Sequence, residues 1–414
     1  LVRERARIDE VVRDYVQLRN AGGGSLKGLC PFHDERTPSF QVTPSRGLFY
    51  CFGCQTGGDT ITFLQLIENL TFVEAVQRLA DRTGVQLRII DDGTPSTPPG
   101  MRSQILAAND AAAEFFRRQM LSDEGAIARD FVTGRGFTRE HAEYFGMGYA
   151  PKGGHVLRDH LLAQGFTPQV LVTSGLVRDS GWDFFQGRVL WPIKDSAASV
   201  LGFGARRVWG DDRMPAKYVN TPETPVYKKS HVLYGLDLAR TNIGKKNQVV
   251  VVEGYTDVMA MHVAGIDTAV ASCGTAFGPE HAHLVQRLMG NRGALNGEVI
   301  FTFDGDAAGR SAALKAYRDD EEFTSQTYVA VEPNGLDPCD LRMQEGDAAV
   351  RELVARRVPL YRFVMENTVD RFDLDRADGR LAAARAAAPL VTSIRDAALA
   401  VSYTHLTLPT KRIV

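Results

Sequence analysis

Residues 249–258 read VVVVEGYTDV and residues 301–309 read FTFDGDAAG, and both stretches run from apolar residues into acidic ones. The four valines from Val249 to Val252 are typical of a strand buried on both faces of a parallel sheet, and residues 300–303 predict a second such strand. Open α/β sheets bind ligands at the carboxyl ends of their strands. We therefore expect the following acidic residues to cluster at one edge of the sheet: Glu253, Asp257, Asp304 and Asp306.

A cluster of carboxylates is costly to bring together unless cations neutralise it, and hard oxygen ligands of this kind suit Mg²⁺ or Mn²⁺. Gly254 and Gly305 leave room beside the backbone for a phosphate or a metal ion. A further acidic stretch, GLDPCDL at 335–341, offers Asp337 and Asp340. The pattern predicts metal-dependent chemistry on phosphates. The alternative is a purely structural set of helix caps, because acidic residues commonly follow strands in that role.

Two short pairs of metal-ligand residues occur near the start of the chain. Cys30 and His33 form a C-x-x-H pair, and Cys51 and Cys54 form a C-x-x-C pair. Four such donors match a closed tetrahedral zinc site, in which we expect Gly53 to relieve strain in the second turn. The pattern predicts one structural zinc ion in a zinc ribbon. Unligated core cysteines and a redox C-x-x-C remain as alternatives.

The zinc segment is also rich in aromatic residues. We expect most of them to lie in a hydrophobic core and one or two to be exposed platforms for base stacking. The residues concerned are Phe32, Phe40, Phe49, Tyr50 and Phe52.

The composition of the 414 residues, with 44% apolar and 24% charged, indicates a soluble multidomain protein. No apolar run is long enough to span a bilayer, and the charged N-terminus does not resemble a signal peptide, so we expect a cytoplasmic protein. The net charge of −2 means that nucleic-acid binding would have to use local basic patches. Residues 205–231 contain such a patch.

Composition and periodicity divide the chain into segments. The first residue is not Met and already lies in a helical pattern, so we expect natural N-terminal residues to precede it. The segment VSYTHLTLPT near the end resembles an in-frame translation of a transposon-derived sequencing adapter. We predict a zinc ribbon domain at 1–90, a linker at 91–102, a basic α+β subdomain at 103–246, a parallel-sheet subdomain at 247–345, a helical subdomain at 346–400 and an artefactual tail at 401–414.

Together these motifs resemble a known family. The acidic region is similar to the TOPRIM domain, and the chain over about residues 1–400 resembles the bacterial DnaG-type replicative primases. This resemblance implies a multidomain α/β and α+β fold: an N-terminal zinc ribbon, a mixed α+β subdomain, a TOPRIM parallel sheet and C-terminal helices. It rests on GLCPFHDERTPSF (28–40), YCFGC (50–54), GGDTITF (57–63), KYVNTPETPVYKKSHVLYGL (217–236), EGYTDV (253–258) and FDGDAAG (303–309).

The resemblance implies roles for the acidic residues. Glu253 would lie nearest the reaction, and Asp304 and Asp306 would complete the catalytic set while holding metal together with Asp337. The family usually writes its last motif Asp-Pro-Asp, whereas this chain has Cys339 at the second acidic position. Cysteine is a poor Mg²⁺ ligand. Either Asp340 substitutes for the missing carboxylate, or one ligand is dispensable.

The resemblance also implies a function and its partners. The chain would synthesise short RNA primers from ribonucleoside triphosphates on single-stranded DNA, as a monomer, with the zinc domain gripping the template. A replicative helicase would be a partner of the full-length protein, through a region beyond this sequence. Template, primer or nucleotide would contact Arg135, Arg206, Lys217, Tyr218 and Lys229. For each arginine and lysine of this set, the alternative is an ordinary solvated surface charge.

Three other functions fit parts of the sequence. A TOPRIM nuclease would use the same acidic site, and a type IA-like topoisomerase would need a nucleophilic tyrosine in a separate DNA gate. A noncatalytic, zinc-dependent single-stranded DNA-binding protein would have no use for the acidic site. The sequence contains no Walker A pattern, which disfavours a helicase.

Overall fold

The chain forms two compact units, Leu1–Thr97 and Pro98–Val414. Most of the predicted linker and all of the predicted tail lie outside the described residues, while residues 101 and 102 already belong to a helix. The computed structural model describes residues 2–33, 35, 37–67, 70, 72–85, 87, 101–196, 198–212, 214–272, 274–275, 277–289, 297–304 and 326–392.

The first unit is built on an antiparallel sheet in the order β1-β2-β3-β4-β5. Its strands are β1 Arg19–Gly22, β2 Ser25–Gly28, β3 Phe40–Thr43, β4 Leu48–Cys51 and β5 Gly57–Asp59. Its helices are α1 Val2–Arg5, α2 Ile8–Arg13, α3 Thr60–Ile67 and α4 Phe72–Thr83, with a 3₁₀ turn at Pro44–Arg46.

Side chains alternate between the two faces of β4, as the two-residue repeat of a strand requires. Phe49 is buried and stacks on Phe40 with ring centroids 5.4 Å apart, and Phe63 packs edge-on against Phe49. Tyr50 and Phe52 are exposed and pack against each other instead. Two of the five aromatic residues therefore lie at the surface.

The second unit begins with a mixed α+β region, whose sheet is antiparallel in the order β6-β7-β8-β9. The strands are β6 Gly148–Ala150, β7 Arg188–Lys194, β8 Val200–Arg207 and β9 Tyr218–Asn220. The helices are α5 Met101–Gln119, α6 Ala126–Gly134, α7 Arg139–Tyr144, α8 Val156–Ala163, α9 Pro168–Thr173 and α10 Leu236–Lys246, with a 3₁₀ turn at Lys229–His231.

The predicted parallel sheet follows, in the order β11-β10-β12-β13-β14, and all four predicted strands are present and parallel. The fifth strand, β14, was not predicted because two residues carry no periodicity; it pairs antiparallel with β13. The elements are β10 Gln248–Val252, α11 Tyr255–Val263, β11 Ala269–Ala271, α12 Pro279–Leu288, β12 Glu298–Asp304, β13 Gln326–Glu332, α13 Pro338–Glu345, α14 Asp347–Ala355 and β14 Val358–Pro359.

Two helices, α15 Leu360–Val369 and α16 Ala377–Thr392, follow the parallel sheet. Leu360 and Val364 pack on Val329 of β13. The predicted C-terminal helices are therefore confirmed over the described residues. Within that part of the chain, no helix combines the length and the apolar character that crossing a bilayer requires.

The two sheets of the second unit share one hydrophobic core, which crosses the predicted boundary between residues 246 and 247. The Trp191 ring of β7 stacks on the Tyr255 ring of α11 with centroids 5.1 Å apart and planes within 10°. Tyr255 also donates a hydrogen bond to Asn220 of β9 (2.7 Å). The mixed sheet thereby fixes the start of α11, close to the carboxyl end of β10.

We expect Gly204→Ala to destabilise the second unit, because its Cβ would lie 2.1 Å from the Tyr255 ring. That ring is clamped between Trp191 and Asn220 and has little freedom to move. Overpacking of this kind costs about 1–3 kcal/mol of unfolding free energy, which denaturant titration would measure. Gly210→Ala is the matched control, since an added Cβ there meets nothing within 4 Å. Equal stability of the two variants would contradict the assigned contact.

Candidate metal centres

The four predicted zinc ligands converge. Their donor atoms all lie within 4.8 Å of one another. The Sγ atoms of Cys30 and Cys54 are 3.8 Å apart, and Cys51 Sγ lies 3.8 Å from His33 Nδ1. A tetrahedral zinc with Zn–S bonds of about 2.3 Å places two sulfurs about 3.8 Å apart, so the donor set fits this ion.

A carboxylate that the sequence analysis missed supports the zinc ligands. Glu35 lies 3.5 Å from His33 Nε2, which leaves Nδ1 of the same ring to face the cysteines. It also accepts hydrogen bonds from the backbone N–H groups of Cys30 (2.7 Å) and Ser39 (3.0 Å). A carboxylate behind a histidine ligand is the usual outer partner at zinc sites. The spacing His33-x-Glu35 could have indicated it.

Gly53 serves the site for a different reason from the one expected. Its backbone does not adopt a positive φ; within this turn the left-handed residue is Gln55, with a φ of 60°. A Cβ at Gly53 would instead lie 2.6 Å from His33 Nε2. Glycine at 53 therefore makes room for the histidine ligand.

Two cysteine thiols of the zinc site, Cys30 and Cys51, differ in acidity. Burial raises the pKa of Cys30 to about 12. Burial also acts to raise the pKa of Cys51, but hydrogen bonds from Ser39 and the backbone of Cys54 outweigh it and lower the value to about 7. Because zinc binds thiolates, loading the site must release a proton from Cys30 and depends on pH.

The second centre is a cavity of about 90 Å³ at the carboxyl edge of the parallel sheet. Three of the predicted acidic residues, Glu253, Asp257 and Asp337, line it, together with Glu332, which was not predicted. Glu253 is exposed, whereas Asp257 and Glu332 are buried. The cavity thus collects four carboxylates from separate strand and helix ends, a donor set that fits a hard divalent cation.

Local backbone contacts orient two of these groups, Asp257 and Asp337. Asp257, in the first turn of α11, accepts a hydrogen bond from the backbone N–H of Gly254 (2.9 Å). Asp337 caps α13 and accepts from the backbone N–H of Asp340 (2.7 Å). Negative groups at helix N-termini are stabilised by the helix dipole. The capping interpretation and the metal interpretation therefore apply to the same side chains.

Asp304 is the last residue of β12, and it pairs in register with Glu332 of β13. Its backbone therefore ends at the same sheet edge as the cavity. Asp306 lies outside the described residues. The catalytic and metal-binding roles of both residues stay predictions.

The structure does not bring Asp340 into this cavity. Its Oδ1 atom lies 2.8 Å from Nη1 of Arg135, so that it forms an ion pair beside the site. Burial acts to lower the pKa of the Arg135 guanidinium, but Cys339, Asp340 and Asp337 outweigh this and raise it. Arg135 thus stays charged next to the acidic cavity, and Asp340 holds it there.

Cys339, at the second acidic position of the family motif, is buried. Burial, and then the negative charges of Asp257 and Asp337, raise its pKa to about 12. The side chain is therefore a neutral thiol at neutral pH. It brings no negative charge to the cavity.

Three of the predicted nucleic-acid-binding residues lie together on the edge of the mixed sheet. Arg206 is opposite Tyr218 in the register of β8 and β9, and its guanidinium lies over the ring of Phe131 at 4.4 Å. The ammonium of Lys217 is 5.8 Å from the ring of Tyr218. Partial burial raises the pKa of Tyr218, and the negative charge of Asp257 acts in the same direction. The positive charge of Arg206 opposes this shift but does not reverse it. The Tyr218 ring also lies 6.2 Å from the ring of Tyr255, at the start of the helix α11 that carries Asp257.

Lys229 lies in the 3₁₀ turn, where backbone contacts hold it. Its N–H donates to Glu223 (3.0 Å), and its carbonyl oxygen is 3.0 Å from Nε2 of His281. No local signal in the sequence links His281 to Lys229, its partner 52 residues earlier in the chain. The contacts fix the backbone of Lys229 while its side chain stays partly exposed.

Glu332 could have been predicted by the rule that found the other acidic residues. The stretch YVAVE at 328–332 has the same form as VVVVE at 249–253, an apolar strand that ends in an acidic residue. Its carboxyl end meets the same edge because β13 is parallel to β12.

Four family models match parts of the chain. They are the CHC2 zinc finger at residues 1–94, the N-terminal domain of the DNA primase catalytic core at 115–240, the Toprim domain at 247–331 and the DnaB-helicase binding domain of primase at 361–405.

The relatives agree with these matches. A DNA primase of Mycolicibacterium smegmatis is 52% identical over 97% of this chain. The RNA polymerase domain of the Mycobacterium tuberculosis primase DnaG, in complex with a double-stranded DNA oligomer with a 6-nucleotide overhang, is 52% identical, with a TM-score of 0.69, over 74% of this chain and 96% of that one. The Aquifex aeolicus primase, with zinc-binding and RNA polymerase domains, is 29% identical, with a TM-score of 0.63, over 100% of this chain and 96% of that one.

A zinc ribbon at the N-terminus and a Toprim sheet with an acidic carboxyl edge define a Toprim-domain protein. Between these two parts, residues 115–240 match the DNA primase catalytic core, which restricts the class from Toprim-domain proteins in general to primases. The chain belongs to the DnaG-type DNA primase family.

Two further facts follow from the comparisons. The chain spans 64% of the length of the Mycolicibacterium smegmatis primase. The expectation that the helicase-interaction region lies entirely beyond this sequence is wrong, because the helicase-binding model matches 361–405. Of that match, residues 361–392 are described, and they include most of α15 and all of α16.

Proposed function

We propose that this chain synthesises short RNA primers on single-stranded DNA by nucleotidyl transfer from ribonucleoside triphosphates. The observation that carries the proposal is the cavity shared by Glu253, Asp257 and Asp337. Basic residues accompany it: Arg135 pairs with Asp340 beside the cavity, and Arg206 lies opposite Tyr218 on the mixed sheet. Joining nucleotides requires an anionic cation site beside groups that attract phosphates. The cation site lies at the carboxyl edge of the parallel sheet, and the basic residues lie beside it or on the mixed sheet of the same unit.

Glu253, Asp257 and Asp337 would hold Mg²⁺ or Mn²⁺, and we keep Asp304 and Asp306 in the proposed set on the strength of the family motif. A bound divalent ion at such a site lowers the pKa of the primer 3′-hydroxyl and stabilises the charge of the departing pyrophosphate. Asp340 is left out of this set because it pairs with Arg135. Cys339 is left out because it is a neutral thiol.

The side chains supply positioning and charge. Glu253 is exposed at the cavity, where it can accept the proton of the 3′-hydroxyl. Arg206 and Lys217 attract phosphates, and the partly exposed Tyr218 ring beside them offers a stacking surface. Fixed charges that need no rearrangement during the reaction are an efficient source of catalysis.

The partners follow from the same proposal. Single-stranded template binds the basic edge, and the zinc unit helps to grip it and to select start sites. A DnaB-type helicase binds through the region that includes residues 361–405. We propose that the protein acts as a monomer, in the cytoplasm, at the replication fork.

Incorporation of labelled ribonucleotides on single-stranded DNA with Mg²⁺ or Mn²⁺ tests the proposal against its rivals. A primase makes short RNA, a Toprim nuclease makes DNA fragments, and a noncatalytic binding protein makes neither. A topoisomerase changes the linking number of a plasmid without using nucleotides. Absence of RNA from a zinc-loaded, metal-supplied reaction would remove the proposed activity.

We expect Lys229→Ala to weaken binding of template or nucleotide and to reduce the dependence of log affinity on log salt by about one unit, as for the loss of one phosphate contact. Fluorescence anisotropy at several salt concentrations measures this slope. Lys245→Ala is the matched control, because Lys245 is exposed near the amino end of β10, at the opposite edge of the sheet. An unchanged slope in Lys229→Ala would make it an ordinary surface residue.

A further inference from the structure

Glu332 is a charged residue at a buried position of a strand, where an apolar residue would be expected. It ends β13, in which Thr327, Val329 and Ala330 are buried, and only 4% of its surface is exposed. It lines the cavity together with Glu253, Asp257 and Asp337. Burying a fourth carboxylate among three others is unfavourable unless it has a specific role.

The contacts of Glu332 indicate that role. Its Oε2 atom accepts hydrogen bonds from the backbone N–H groups of Asn334 and Leu336, each at 2.8 Å. Its Oε1 atom accepts from Nδ2 of Asn334 at 3.2 Å. Three donors thus tie the turn at 333–336 to the end of β13. The next residue along the chain is Asp337.

We propose that Glu332 is a positioning residue of the divalent-metal site, which holds the turn at 333–336 so that Asp337 faces Glu253 and Asp257. The inference rests on the metal site of the proposed function. Outer partners that orient metal ligands typically contribute 10–100-fold to affinity.

The test uses the zinc-loaded full chain and Mn²⁺ as the probe, with free Mn²⁺ counted by electron paramagnetic resonance. Glu332→Gln keeps the size of the side chain but replaces one acceptor oxygen with an NH₂ group that cannot accept from a backbone N–H. We expect about tenfold weaker Mn²⁺ binding. RNA synthesis should need a correspondingly higher Mn²⁺ concentration for half-maximal rate, with much of the rate recovered at saturation.

A double-mutant cycle separates positioning from an independent role. If Glu332 acts through Asp337, then Glu332→Gln combined with Asp337→Asn binds Mn²⁺ no more weakly than Asp337→Asn alone. Additive losses would overturn the inference. So would a Glu332→Gln protein with wild-type Mn²⁺ affinity.

Asp183→Asn is the matched control for the loss of a buried acceptor. Asp183 is 2% exposed, accepts hydrogen bonds from the backbone N–H groups of Leu157 and Arg158, both at 2.9 Å, and does not line the cavity. The Asp183→Asn substitution should lower the thermal unfolding midpoint without weakening Mn²⁺ binding. If Glu332→Gln behaves in the same way, its role is structural only and the inference fails.

Asn334→Ala provides a milder variant should Glu332→Gln fail to fold. Its side chain is exposed, and its removal deletes only one of the three donors to Glu332. A smaller loss of Mn²⁺ affinity in the same direction is expected, and no loss counts against the inference. If the wild-type chain makes no RNA, the proposed function is refuted. If Glu332→Gln still weakens Mn²⁺ binding in that case, the positioning role stands.

Discussion

Glu253→Gln should abolish RNA synthesis while template binding stays close to wild type. The substitution removes one negative charge and one proton acceptor at the cavity but keeps the side-chain volume. Loss of a general base alone costs roughly 10²–10⁴-fold in rate, and weakened cation binding adds to this. Gel analysis of labelled RNA measures the rate, and fluorescence anisotropy measures template affinity.

Glu352→Gln is the control for this experiment. Glu352 is an exposed glutamate of α14 that pairs with Arg356 one helical turn later, so its loss should leave RNA synthesis unchanged. Comparable activity of wild type and Glu253→Gln would remove Glu253 from the mechanism. Loss of template binding by Glu253→Gln would show that the residue acts on the fold of the basic edge and not on the reaction.

Cys51→Ser should release the zinc ion and impair initiation on single-stranded DNA. Serine is a far poorer zinc ligand than a thiolate, and even loss of an outer partner costs 10–100-fold, so we expect affinity to fall by more than about a hundredfold. Because metal binding and folding are coupled in small zinc domains, the first unit should also lose stability. A colorimetric chelator measures zinc content, and circular dichroism measures folding.

Cys339→Ser is the matched control, since Cys339 is a buried cysteine outside the zinc site. It should keep one equivalent of zinc. Retention of zinc by Cys51→Ser would overturn the ligand assignment. Mn²⁺ binding at the acidic cavity should persist in Cys51→Ser, because the zinc ligands and the acidic cavity belong to different compact units.

Strong local patterns account for the parts of the fold that were predicted. The valine run of β10 and the stretches that became β11, β12 and β13 each carry enough apolar, β-branched character to indicate a buried strand. Their alternation with helices indicates parallel pairing. The strand β14 was missed because its two residues pair with β13 through contacts that no local pattern encodes.

The acidic cavity was predictable in part. Glu253 and Asp257 follow a buried strand, and the geometry of parallel sheets sends such residues to the carboxyl edge. Asp340 looked equivalent to Asp337 in the sequence, yet the two point to different partners. Asp337 caps α13 at the cavity, and Asp340 pairs with Arg135, which lies 205 residues earlier in the chain.

Residue type and short spacing were enough to predict the two metal-ligand pairs, the strands that run into acidic residues and the family of the protein. Three features could be seen only in the folded chain: which carboxylates share the cavity, why position 204 must be glycine beside Tyr255, and how Glu332 holds the turn before Asp337. Those outcomes depend on contacts between elements distant along the chain. Side-chain direction across such contacts is set by packing, which no local periodicity records.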